Sequence, residues 1–135
     1  MKTIFTKLLL LTGLWLAMGH AKAQSVGGDQ VGAVRSAIAN GSAHDLAQYL
    51  APSVEVGFDG DKQTYNSTQA ELVLKNFFAK NGASSFDIKH QGASGEGIPY
   101  AIGQYVGRSG TYRVFIKLKA KQSSPSIDTL DFTKE

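Results

Sequence analysis

The chain has no cysteine in its 135 residues. That excludes disulfides, thiolate metal centres, cysteine nucleophiles and a lipidated cysteine anchor. Proline (3), methionine (2) and tryptophan (1) are scarce. Acid is missing from the first 23 residues, which carry Lys2, Lys7 and Lys22 and with them the whole formal net charge of +3. From Gln24 onward, 14 − 3 = 11 basic residues stand against 11 acidic ones. A balanced chain without a clustered cationic face is not built for nucleic acid, so none is expected as a partner. The length leaves room for one domain, not two.

The first residues do carry an export pattern. Lys2 and Lys7 form a positive start, and Leu8 to Met18 is an apolar run of eleven residues broken by Thr12 and Gly13. A membrane span needs roughly 20. Ala21-Lys22-Ala23 then places small residues where a signal peptidase reads. The pattern predicts a signal peptide over 1–23, a flexible lead over 24–28 and a single domain over 29–135. The mature chain would start at Gln24, in the periplasm or outside the cell, with no membrane insertion after cleavage.

Along the remainder, periodicity sets the elements. Asp29 is the expected cap of a helix whose apolar positions are Val31, Val34 and Ile38, ended by Asn40-Gly41. Ser42 with Asp45 opens a short helix carrying Leu46, Tyr49 and Leu50, closed by Pro52. Val54, Val56 and Phe58 alternate as a strand, Asp59-Gly60-Asp61 turns the chain, and Lys62 to Tyr65 reads as a partner strand. Thr68 with Glu71 reads as a capping box opening the strongest helix, with Leu72, Val73, Leu74, Phe77 and Phe78 apolar and Asn81-Gly82 as its stop. Phe77 is expected in the core.

After that the period changes to two. Phe86, Ile88 and His90 fall on one face by simple alternation. Tyr100, Ile102, Gln104 and Val106 fall on a face of the next strand. Gly107 to Gly110 turns into Tyr112, Val114, Ile116 and Leu118, which alternate with Arg113, Phe115, Lys117 and Lys119. Ser123-Ser124-Pro125 reads as a turn and Ile127 to Phe132 as the last strand. The order gives an α+β domain with helices packed on one face of an antiparallel sheet.

These residues resemble a known family. The matching words are Ala70-Glu71-Leu72-Val73-Leu74-Lys75-Asn76-Phe77-Phe78, Phe86-Asp87-Ile88-Lys89-His90-Gln91-Gly92, Tyr100-Ala101-Ile102-Gly103 and Gly110-Thr111-Tyr112-Arg113-Val114. They look like the small exported bacterial family called domain of unknown function 4783, within the nuclear transport factor 2-like (cystatin-like) superfamily. The resemblance covers nearly all of Val31 to Glu135. It implies a cone in which a curved antiparallel sheet wraps one long helix plus two N-terminal helices, often with a cavity at the open end of the sheet, and commonly a dimer. Some relatives in the superfamily are isomerases or hydratases using a buried Asp, His and Tyr; many others bind or scaffold. This sequence departs from the enzymatic pattern, having no evident carboxylate beside its histidine.

His90 is the titratable residue of most interest. On the Phe86 and Ile88 face it would line the cavity as acid or base; the plainer reading is a strand-end histidine bonded to a loop carbonyl. Tyr49, Tyr65 and Tyr100 are the expected neighbours in a ligand pocket, although strand tyrosines commonly serve packing. An orienting carboxylate for His90 would have to come from Asp128 or Glu96. Gly92-Ala93-Ser94-Gly95-Glu96-Gly97 opens no helix and has no following Gly-Lys-Ser/Thr, so it reads as a mobile loop, not a phosphate cradle. Ser94 lacks the Gly-x-Ser-x-Gly context of a hydrolase. Asp45 is accounted for by capping, which leaves His44 without a metal-binding companion. No metal-ligand spacing occurs, and no cofactor is expected. Asn40-Gly41-Ser42 and Asn66-Ser67-Thr68 match glycosylation sequons, which in an exported bacterial chain carry no weight.

Arg113, Lys117, Lys119 and Lys121 make a basic row interrupted by Phe115. An aromatic among cations predicts a partner surface, here a homodimer through the outer sheet face, with Glu55 and Asp87 answering the lysines. The expected function is an exported, non-catalytic binding or scaffold module that takes a small-molecule ligand or a protein partner. The alternative is a small isomerase or hydratase with His90 as general base.

Overall fold

The computed structural model describes residues 26–120 and 125–135, with side chains from Val31 onward. The signal peptide expected over 1–23, the start of the lead at 24–25, Lys121, and Ser123-Ser124 of the expected turn lie outside the described residues. The elements are α1 (Val26–Ala39), α2 (Ala43–Ala47), β1 (Leu50–Phe58), β2 (Asp61–Asn66), α3 (Ser67–Lys80), β3 (Ala83–Ala93), β4 (Pro99–Gly107), β5 (Gly110–Leu118) and β6 (Ile127–Lys134).

Local chemistry sets the boundaries. α1 begins at Val26, so Asp29 lies inside the helix, not at its cap, and Val26 to Gly28 belong to the first turn rather than to a lead. It ends in a Schellman motif. Gly41 adopts φ 64°, its N–H donates to the Ile38 carbonyl at 2.9 Å, and the Ser42 N–H donates to the Ala37 carbonyl at 3.0 Å. The Ser42 hydroxyl then accepts from the Asp45 N–H at 3.1 Å and caps α2. Pro52 does not close a helix. It lies within β1, where the register against β6 shifts between Leu50 and Glu55, and an irregular ladder tolerates a residue with no N–H. Asp59 and Gly60 both take positive φ, 54° and 90°, the geometry of a two-residue type I′ turn. The cap of α3 is Asn66, not Thr68. Its side chain accepts from the Gln69 N–H at 2.8 Å, and the Gln69 side chain accepts from the Asn66 N–H at 3.2 Å.

The sheet runs β2-β1-β6-β5-β4-β3 and is curved. Its neighbours are antiparallel except β1 and β6, which pair parallel. Helices cover one face. Val34 and Ile38 of α1, Leu46 of α2, and Leu74, Phe77 and Phe78 of α3 pack with Phe86, Tyr105, Val114, Ile116, Leu118, Leu130 and Phe132 in one core. Leu72, expected among the apolar positions of α3, is instead 59% exposed.

Phe77 sits at the centre of the aromatic packing. Its ring centroid lies 4.6 Å from Phe132, 5.1 Å from Phe58, 5.2 Å from Tyr112 and 5.6 Å from Tyr105. Fully burying a side chain of this kind contributes about 1.5–3 kcal/mol. Gly103 makes room for this packing, since a Cβ there would stand 2.5 Å from the Phe86 ring.

Candidate functional site

Register decides where His90 lies. Phe86 pairs with Tyr105 and Ile88 with Gly103, both on the helix-covered face. The register then shifts between Ile88 and His90, and His90 pairs with Ile102. A bulge adds one residue and so reverses the alternation beyond it. His90 therefore does not share the face of Phe86 and Ile88; it stands on the outer face of the sheet. Ile102 pairs with Phe115 and Phe115 with Asp131. The row continues through Gly57 to Lys62, so one ladder crosses all six strands. The next row contains Gly92, Tyr100, Lys117 and Thr129.

Two of the four expected site residues meet on this face. His90 Nε2 and the Tyr100 hydroxyl are 3.1 Å apart, and the Tyr100 ring stacks on Phe115 with centroids 6.1 Å apart and planes at 28°. The β3–β4 loop bends over the same end, with the Ser94 hydroxyl accepting from the Glu96 and Ile98 N–H groups at 3.3 Å each. Ser94, Ile98, Tyr100, Phe115 and Lys117 enclose a shallow hollow of about 220 Å³.

The other two tyrosines are elsewhere. Tyr49 is half-buried beside α1, where its carbonyl accepts from the Ile127 N–H at 2.6 Å. Tyr65 lies on β2, paired with Val54, and its hydroxyl meets Gln63 Oε1 at 3.3 Å. β2 and β3 are opposite edges of the sheet, so Tyr65 stands five strand spacings from His90, roughly 24 Å.

Neither carboxylate weighed for His90 is paired with it. Asp128 Oδ2 lies 3.5 Å from Lys117 Nζ, and Glu96 is exposed in the loop. Asp131 bridges to Lys62 at 3.4 Å over the backbone of Gly57, while its Oδ1 is buried without a partner. Among the described residues no three of His, Asp and Glu cluster as metal ligands.

A polar knot ties the end of α3 to the aromatic core. Asn81 follows α3 and is buried. Its backbone carbonyl accepts from the Tyr105 hydroxyl, and its side-chain oxygen accepts from Ser109 and, at 3.5 Å, from Tyr112. Its Nδ2 donates to the Phe77 carbonyl at 3.1 Å. Burial, reinforced by Tyr112, pushes the Tyr105 phenol from 10.0 up to about 12, which keeps it a neutral donor. Sequence reasoning read Asn81 only as a helix stop.

The family model for the domain of unknown function DUF4783 matches residues 31–133. The chain belongs to the DUF4783 family. A DUF4783 protein of Bacteroides ovatus is 28% identical over 76% of this chain and 93% of its own, with TM-score 0.72. One from Bacteroides uniformis is 24% identical over 77% and 95%, with TM-score 0.71. A hypothetical protein of Catenulispora acidiphila with a ketosteroid isomerase-like fold, solved with trimethylamine, is 12% identical over 80% of this chain and 86% of its own, with TM-score 0.62. No curated protein matches.

The helix side of this DUF4783 chain has its own hollow, also about 220 Å³, lined by Phe58, Val73, Asn76, Phe77, Lys80 and Asn81. Phe58 and Phe77, stacked at 25°, form its aromatic floor. No residue of this set was singled out from the sequence as a binding residue.

Proposed function

We propose that this DUF4783 chain is an exported, non-catalytic binding module that works as a homodimer joined through the outer face of its sheet. The observation that carries the reading is a group of half-exposed apolar side chains on neighbouring strands. Ile102 of β4 pairs with Phe115 of β5 and Tyr100 stacks on it, on the face opposite the helices, while Val106 stands farther along β4 beyond Gln104. A sheet face meant for water alternates to polar residues, whereas an apolar patch on a face is what a partner covers. Charge supports a self-complementary contact. Arg113 and Lys117 stand on β5, while Asp87 on β3, Glu55 on β1 and Asp131 on β6 flank them. Two copies crossing about a two-fold axis set the cations of one over the acids of the other.

Two facts favour binding over catalysis. The core is rich in aromatic rings, and among the described residues His90 has the Tyr100 hydroxyl as its polar neighbour with no carboxylate within 4.0 Å. A general base needs such a group to orient it. Export rests on the leader pattern of 1–23, and the intact mass of protein from its native host is expected to start at Gln24.

Light scattering of the chain at micromolar concentration is expected to give twice the monomer mass. Phe115→Glu is expected to give the monomer with an unchanged circular dichroism spectrum, because Phe115 lies outside the core. A monomeric wild type, or a dimer indifferent to Phe115→Glu, would refute the interface.

A further inference from the structure

The geometry points to a second, separate site: the hollow between α3 and the end of β1 binds a small planar aromatic anion, a monocyclic arylcarboxylate in size and charge. The floor fixes the first part of that chemistry. Phe58 is half-exposed on the stacked pair with Phe77, so a ring laid on it extends a stack whose centroids are 5.1 Å apart. Volume fixes the second part. About 220 Å³ lies below the roughly 300–1,000 Å³ of ordinary ligand pockets, which suits one ring and a short substituent.

Charge fixes the third part. Lys80 is the only charged residue lining the hollow, and it makes no ion pair among the described residues. Asp59, next to Phe58 in sequence, does not line the hollow, and its Oδ1 accepts from the Lys134 N–H at 2.7 Å. The Phe77 carbonyl, in the last turn of α3, is occupied by both the N–H and the Nδ2 of Asn81. The hollow therefore offers one ammonium and the Asn76 side-chain amide, with no carboxylate to compete. An anionic substituent meets a donor there, whereas a cationic one meets Lys80.

This site lies on the helix side and does not depend on the outer-face interface. The test is a titration of the isotope-labelled full chain, followed by the side-chain amide cross-peaks of Asn76 and Asn81, with phenylacetate, phenylacetamide and phenethylamine. Phenylacetate is expected to move those cross-peaks and to bind up to about fivefold tighter than the neutral amide at low salt, the range of a partly exposed ion pair. Phenethylamine is expected to bind more weakly than either. Lys80→Gln is expected to abolish the preference for the acid while leaving the amide's affinity in place. Val73→Phe, at a half-buried position that tolerates a larger side chain, is expected to fill the hollow and abolish both. Phe115→Glu is expected to leave binding unchanged even where it dissociates the dimer.

Equal binding of acid and amide overturns the inference, as does tighter binding of the amine. So does an acid preference that survives Lys80→Gln, and so does an absence of cross-peak movement up to the solubility limit of phenylacetate. Binding lost on Phe115→Glu would move the site to the outer face and equally overturn it.

Discussion

Tyr105 is the residue whose environment has the clearest measurable consequence. Its hydroxyl donates to the Asn81 carbonyl from a fully buried position, and its phenol is held neutral by desolvation and by Tyr112. Tyr105→Phe removes that donor and leaves a buried carbonyl unpaired, at a cost of about 1–3 kcal/mol in denaturant melts. The alkaline behaviour follows from linkage. A phenol whose pKa rises on folding keeps its proton where the unfolded chain has released it. Its contribution is therefore intact below the ordinary value of 10.0 and is lost as pH climbs toward about 12. Stability is expected to fall across that window in the wild type and to fall less steeply in Tyr105→Phe. Urea midpoints at stepped pH check this, and parallel slopes would remove Tyr105 from the account.

Among the elements, α3 carries the sharpest contrast between sequence and structure. Two overlapping capping patterns occur, Asn66 with Gln69 and Thr68 with Glu71, and local chemistry alone does not choose between them. Pairing does: β2 stays in register with β1 through Asn66 opposite Ser53, so the helix starts immediately after it. Asn66→Ala is expected to cost about 1 kcal/mol and Thr68→Ala under about 0.5 kcal/mol, because Thr68 is exposed and caps nothing. Phe77→Ala, at the aromatic centre, is expected to cost about 3–5 kcal/mol, and a loss under 1 kcal/mol would contradict the packing.

The order of elements and the buried face of β5 were legible because helical and strand periods leave their mark in hydrophobicity. The placement of His90 was not, since a bulge reverses alternation without changing composition: Lys89 and His90 read the same with or without it. On β4 the alternation inverts in another way. The core side is Ala101, Gly103 and Tyr105, where small residues admit the Phe86 ring, and the bulkier Tyr100, Ile102 and Val106 stand outside. The parallel pairing of β1 with β6 joins segments about 75 residues apart, beyond any local signal. The helix-side hollow has no local signal either: Phe58 ends β1 and Lys80 ends α3, 22 residues apart, and only the fold sets them side by side.

At the scale of the whole molecule, one sheet face is fully used and the other is not. Helices cover one side, while Tyr100, Ile102, Val106 and Phe115 stand half-exposed on the other. If two copies cover that patch, folding and association are one equilibrium, and mass action ties stability to concentration. Each tenfold rise in protein concentration then adds about 1.4 kcal/mol per dimer. The thermal midpoint is expected to climb by a few degrees per decade of concentration for a domain of this size. Phe115→Glu is expected to remove the concentration dependence while leaving the midpoint of the dilute protein close to wild type, because Phe115 contributes to the face and not to the core. A wild-type midpoint that is flat across concentration would mean that the outer face stays open to water. A midpoint lowered at every concentration by Phe115→Glu would mean that Phe115 supports the monomer, through its stack on Tyr100, rather than a partner.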